Sequence, residues 1–186
     1  MAAIVPVLET SRLLLKPAEL ADAAQIEEIF PQWEIVKFLN AKVPWPYPPD
    51  GAMQYLSQLA LPAMERGDEW HWTIRQKSVP ERMIGFINLC KTSDENRGFW
   101  LDPKFQRRGY MTEACDAVTD FWFEELRMPI LRSHKAIANE GSRKISERQG
   151  MRVAWAGDRT YVGGTFPSEM WEITAEEWRA RKRCKS

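Results

Sequence analysis

The sequence predicts a mixed α/β domain in which a mostly antiparallel central sheet of about seven strands carries about four helices on its faces. Short β-rich runs follow one another from Trp70 to Leu101, a strongly periodic helix opens at Tyr110, and further strand and helix signals alternate on either side. A chain of 186 residues suffices for one full core and is short for two, so 1–186 reads as a single domain.

Ser11 to Lys16, a short apolar run bounded by polar residues and Pro17, is the first strand. Leu20, Ala23, Ala24 and Phe30 then keep helical spacing up to Pro31. The prolines of Pro44-Trp45-Pro46-Tyr47-Pro48-Pro49 fix φ and remove donors, so this stretch is an extended loop. Asp50 reads as the cap of a second helix along Ala52, Tyr55, Leu56, Leu59 and Ala63, which Pro62 should kink or end early.

Trp70–Gln76, Met83–Cys90 and Phe99–Leu101 are three strands joined by short charged turns, hence antiparallel. Tyr110, Ala114, Ala117, Val118, Phe121 and Leu126 form the apolar stripe of the clearest helix. Ile130–Ala138 is a strand, Ser142–Gln149 a helix stopped by Gly150, and Val153–Ala156 with Met170–Thr174 a closing strand pair.

Lysine plus arginine equal aspartate plus glutamate, 26 against 26, so no overall field draws the chain to nucleic acid or an anionic membrane. Cys90, Cys115 and Cys184 are odd in number and scattered, unlike a zinc site or a secreted scaffold. No apolar run approaches the ~20 residues of a membrane span, and Met1–Pro6 lacks an export signal. A cytoplasmic protein without membrane contact is expected. The basic run Arg179, Arg181, Lys182, Arg183 and Lys185 reads as a solvated helix end, and nucleic-acid contact is not expected.

The chemistry concentrates where Phe99-Trp100-Leu101-Asp102-Pro103 leads through Gln106-Arg107-Arg108-Gly109 into Tyr110-Met111-Thr112-Glu113-Ala114. A helix start with unsatisfied N–H groups, a glycine and two arginines suits a pyrophosphate. On the residues alone it is equally an ordinary polar turn opening an amphipathic helix. The stretch resembles the acetyl-CoA motif of the Gcn5-related (GNAT) superfamily, Gln/Arg-x-x-Gly-x-Gly/Ala after a strand ending Leu-Asp-Pro. Met111 departs from the usual small residue, as in the RimJ/RimL branch, and must point away from the phosphates. Asn139-Glu140-Gly141-Ser142, running on to Glu147 and Gly150-Met151, resembles the family's second segment, although Asn139 and Gly150 also read simply as a helix cap and stop.

The resemblance implies the GNAT acyl-CoA N-acyltransferase fold and an acetyl-CoA-dependent enzyme that passes acetyl to a primary amine by direct attack in a ternary complex. The amine is a protein N-terminal α-amine or a small molecule; the alternative is a non-catalytic CoA-binding module. It places Gln106, Arg107, Arg108, Gly109, Tyr110, Met111, Thr112 and Lys144 on the phosphates, Asn139 and Ser142 by the pantetheine and sulfur, and a backbone N–H near Leu101 on the acetyl carbonyl. No metal is implied; a homodimer is, by analogy.

Proton-transfer groups are harder to assign. Relatives often carry a base glutamate where this chain has Asn96, and a tyrosine acid where it has Ser146. Adjacent Glu95 should point to the other face, and Glu113, in a helix's first turn, should serve the dipole. Ser142 is the candidate proton donor and His71 a candidate base, with an ordinary structural role the alternative for each; His134 has a weaker claim. Trp33, Trp45 and Tyr47 would wall the acceptor site on one side, and Arg159, Tyr161 and the Gly163-Gly164 turn on the other; loop packing explains these aromatics equally well.

Overall fold

The computed structural model describes residues 5–183; Cys184 and Lys185 lie outside them. A short strand β1 (Leu8–Glu9) precedes β2 (Leu13–Pro17), followed by α1 (Ala23–Ile29) and α2 (Trp33–Val36). After the proline-rich loop come α3 (Gly51–Tyr55) and α4 (Leu61–Arg66), then the antiparallel strands β3 (Glu69–Gln76), β4 (Val79–Cys90) and β5 (Arg97–Leu101). The second half runs α5 (Tyr110–Asp120), β6 (Ile130–Ala136), α6 (Glu140–Arg148), β7 (Arg152–Tyr161), β8 (Gly164–Thr174) and α7 (Ala175–Arg183).

The expected single sheet of about seven strands is instead two sheets, ordered β1-β2-β3-β4-β5 and β6-β8-β7, though the mixed α/β fold class stands. No ladder joins β5 to β6. Asn96 N–H donates to Arg132 O at 2.7 Å, Arg132 N–H donates to the Asn96 side chain at 2.8 Å, and Ser133 Oγ donates to Arg97 O at 3.2 Å. Past this pinch the strands part, and the space between them organises the site.

Each face of the larger sheet carries its own layer, as strand alternation requires. Trp70, Trp72 and Ile74 face α5 through Met111, Ala114, Cys115 and Val118, and that core continues across the gap to Leu131, Trp171 and Ile173 of the second sheet. Met83 and Phe86 face the other way, onto α1, α2, and Leu56 and Ala60 of the next helix. Five of the nine tryptophans, Trp70, Trp72, Trp122, Trp171 and Trp178, are core residues.

Pro62 does not end its helix, which continues as α4 to Arg66. A π turn over Leu56–Ala60 joins α3 to α4, with Leu61 N–H reaching five residues back to Leu56 O. That shift puts Pro62 at the start of a fresh α segment, where a missing N–H costs nothing. Gly67, at φ 71°, stops the helix. Asp50 precedes α3 without capping it: its carboxylate accepts from Gln54 Nε2 at 2.7 Å, and Glu27 of α1 accepts the Ala52 N–H at 2.9 Å.

The closing strands run longer than their apolar patterns, because β7 is an edge whose outer residues are exposed and carry no alternation. Helix α7 is anchored by Trp178, whose indole N–H donates to Asp120 at 2.8 Å. Arg179 pairs with Glu124, Lys182 with Asp120, and Arg181 bonds the Arg148 carbonyl, so these basic residues fasten α7 down.

Candidate active site between the two sheets

The loop between β5 and α5 is built to present N–H groups. Asp102 accepts from Lys104 N–H at 3.0 Å, and Gln106 returns a bond to Leu101 O at 3.2 Å. Arg107 and Gly109 lie in the left-handed region, at φ 62° and 79°, and α5 begins without a side-chain cap. Its first N–H groups are therefore open to an anion. Neither Arg107 nor Arg108 forms an ion pair among the described residues, leaving both guanidinium groups available.

Sequence reasoning missed what holds this loop from beneath. Arg12 donates to Arg108 O at 2.9 Å, lies 4.5 Å over the Tyr110 ring and pairs with Glu113 at 2.7 Å. Glu113 also accepts from Thr10 Oγ1, Ser11 Oγ and the Arg12 N–H. Tyr110 OH accepts from Gln76 Nε2 at 2.8 Å, and Met111 points into the core. Glu113 is thus a latch between the β1–β2 turn and α5. Burial pushes its carboxyl up, but hydrogen bonds from Thr10, Arg12 and Ser11 outweigh that and hold it below its usual value. Such a group stabilises the fold above its unfolded pKa, and the contribution is lost as pH falls through the lower native one. Glu113→Gln is therefore expected to melt earlier than wild type at pH 7, with the difference closing as pH drops below about 4; thermal melts at both pH values check this.

The gap itself is lined by unpaired backbone. Asp102 N–H bonds Ile84 O at 2.8 Å, which makes Leu101 opposite Gly85 a non-hydrogen-bonded pair, and alternation does the same for Phe99 opposite Ile87. The N–H groups of Phe99 and Leu101 consequently turn away from β4, toward β6. On the α5 side, Lys135 donates to Ser142 Oγ at 2.9 Å, and Asn139 caps α6 by accepting the Ser142 N–H at 3.3 Å. Lys144 lies on the solvent face, 3.9 Å from Glu140.

On the opposite side, Glu95 accepts from Ser133 Oγ at 3.0 Å and from the His134 ring at 3.1 Å. Glu95 is not part of the neighbouring Asn96 clamp; its carboxylate crosses to β6 beside the pinch. Asn96, where a catalytic glutamate is usual in the superfamily, is buried and bridges Cys90 O, Thr92 O and Arg132 N–H. His71 is wholly buried: Nε2 meets Glu69 at 2.6 Å and Nδ1 meets Tyr55 OH at 3.4 Å. Both ring nitrogens are thus engaged within the protein.

The expected aromatic walls separate into open and closed members. Trp33 and Trp45 are 44% and 41% exposed with ring centroids 5.7 Å apart. Tyr47 packs edge-on against Phe30 at 4.9 Å, so it supports the loop. Tyr161 is buried, its hydroxyl donating to Ser168 Oγ at 2.9 Å, while Val162 and Gly163 N–H bond Leu39 O and Lys37 O. It ties the β7–β8 hairpin to the 37–40 segment and presents no open face. Arg159 stands on the same edge strand.

The protein family described as Acetyltransferase (GNAT) domain matches residues 12–152. The chain belongs to this GNAT family. Like its family, it is an N-acetyltransferase acting on an amine. The Bacillus subtilis protein whose name is "Putative ribosomal N-acetyltransferase YdaF" is 30% identical over 106 residues, covering 54% of this chain and 58% of that protein. Ribosomal-protein-S5-alanine acetyltransferase from Vibrio fischeri superposes with a TM-score of 0.79 at 16% identity, covering 93% of this chain and 98% of that one. RimL, the ribosomal L7/L12 α-N-protein acetyltransferase, in complex with coenzyme A gives 0.75 at 17% identity, covering 92% and 98%. At such identities the structures speak for the GNAT fold alone. Among the described residues, no cluster of three His, Cys, Asp or Glu is placed to hold a metal, and no helix is long and apolar enough to cross a membrane.

Proposed function

We propose that this GNAT domain acetylates a protein N-terminal α-amine, with acetyl-CoA laid in the gap between β5 and β6. One observation carries the cofactor reading: an uncapped helix start, at Gly109, opens onto a gap lined by the unpaired N–H groups of Phe99 and Leu101. The first supplies what a pyrophosphate needs and the second what an extended pantetheine arm and a thioester carbonyl need. Arg107 and Arg108 add charge at the phosphates, Asn139 and Ser142 stand beside the pantetheine, and the Leu101 N–H holds the acetyl oxygen as charge develops there.

The amine enters from the side of Trp33, Trp45 and Glu95, opposite α5. Ser142 Oγ–H is the proton donor to the departing sulfur. A protein acceptor is supported by the relatives named as ribosomal N-acetyltransferases and by the exposed Trp33–Trp45 pair, a surface suited to a chain terminus. The test is thiol release from acetyl-CoA across peptides with varied N-termini and a set of small amines. Turnover confined to peptides supports the reading, turnover on small amines alone replaces the acceptor, and binding of CoA without turnover on either makes the chain a CoA-binding module. Replacing Trp33 and Trp45 together by alanine is expected to raise KM for the peptide about tenfold or more, loss of ring contacts costing roughly 0.5–1.5 kcal/mol each, with acetyl-CoA affinity unchanged.

A further inference from the structure

We propose that the ammonium of Lys135, acting through Ser142, neutralises the thiolate that departs when acetyl leaves CoA and supplies its proton. The proposal rests on acetyl-CoA occupying the β5–β6 gap.

Lys135 is 4% exposed, and a lysine is almost never buried without a partner. No carboxylate among the described residues pairs with it. Of its three N–H donors one goes to Ser142 Oγ at 2.9 Å, and the Phe99 ring lies 5.2 Å away; the others have no acceptor among the described residues. Every neighbouring element leaves this cation in excess. β5 presents Arg97, 1% exposed, bonded to Thr119 Oγ1 at 2.8 Å and itself without a carboxylate. α5 presents the buried Cys115 thiol. Glu95, on the turn before β5, is engaged with Ser133 and His134. Glu169 stands directly across the ladder on β8, but Arg143 and the Trp171 indole occupy its carboxylate.

Burial first, and Arg97 next, push Lys135 down to about 8. Two inward cations with no carboxylate at pairing distance among the described residues, Glu95 acting on Lys135 only from further off, are costly in an empty site. They suit a site that must receive a negative charge, and the reaction creates one at the CoA sulfur. Because Ser142 Oγ accepts from Lys135, its own hydrogen is free to be donated.

The step balances. The amine nitrogen bonds to the thioester carbon, and the C–S bond breaks with its electron pair on sulfur. Sulfur takes the Ser142 proton, Ser142 takes one from Lys135, and Lys135 regains it from solvent, which receives the proton lost by the amine. Lys135 is not the amine's base, since it lies on the α5–α6 side, away from the entrance.

The deciding experiment follows thiolate absorbance of CoA bound to wild type, Lys135→Met and Lys135→Gln across pH, with calorimetry of desulfo-CoA alongside. In wild type the bound thiol is expected to ionise below the ~8.5 of a free thiol, but no lower than the about 8 of the Lys135 ammonium that protonates it. Both variants should return it to the free value or above, with desulfo-CoA affinity within about twofold, a limit well under the tenfold of 1.4 kcal/mol. In turnover, kcat should fall by about 10²-fold, within the usual range for a proton-transfer group, with KM for acetyl-CoA little changed. The wild-type decline above pH about 8 should vanish. A low thiol pKa that persists in Lys135→Gln overturns the proposal; failure of wild type to bind CoA overturns the cofactor reading beneath it.

Discussion

Gly109→Val is expected to reduce acetyl-CoA affinity by at least ~10²-fold, because it attacks backbone geometry and open space together. Gly109 sits at φ +79°, and an added Cβ would lie 3.3 Å from Arg12 Nη2. A β-branched residue is a genuine outlier there, with strain on the order of 1–3 kcal/mol. Relaxing the strain rotates the N–H groups that open α5, and displacing Arg12 loosens its bonds to Arg108 O and Glu113. Gly109→Ala should retain part of the affinity, having the φ penalty without the branch. Calorimetry with acetyl-CoA measures this, and a near-native melting temperature assigns the loss to the site. A Val variant that binds like wild type would place the phosphates elsewhere.

Asn96→Ala is expected to destabilise the fold by about 3 kcal/mol, lowering the melting temperature by roughly 6–12 °C for a chain of this size. The side chain is 3% exposed and makes three bonds: to Cys90 O at 3.1 Å, to Thr92 O at 2.7 Å, and from Arg132 N–H at 2.8 Å. Alanine leaves those buried partners unsatisfied just where the two sheets meet. Asn96→Asp is the sharper comparison. It keeps an acceptor for Arg132 N–H but faces two carbonyls with no donor, so it should be no better than alanine at pH 7. Scanning calorimetry decides, and an unchanged melting temperature in both variants would remove Asn96 from the joint.

The fold was legible wherever one side chain pattern has one structural meaning. The Tyr110–Phe121 stripe, the strands from Trp70 onward and the Asn139 cap all stand as their residues imply. Pro62 misled because a π turn, a matter of hydrogen-bond register, leaves no mark in composition. No local pattern marks Lys135, and alternation says of Glu95 only that it points away from Asn96; non-local packing of β5 against β6 buries the first and brings the second to Ser133 and His134. Arg12 lies 101 residues from its partner Glu113, a separation no local pattern encodes. His71 illustrates the reverse, a chemically suggestive residue consumed by its neighbours.

The Trp33–Trp45 contact has an optical consequence. Their centroids are 5.7 Å apart with planes at 47°, close and skewed enough for their electronic transitions to couple. The far-ultraviolet dichroism of the protein should carry an excitonic couplet from this surface pair, superimposed on the helix and sheet bands. An acceptor terminus wedged between the rings would split the pair and erase the couplet, giving a label-free optical signal at the proposed entrance.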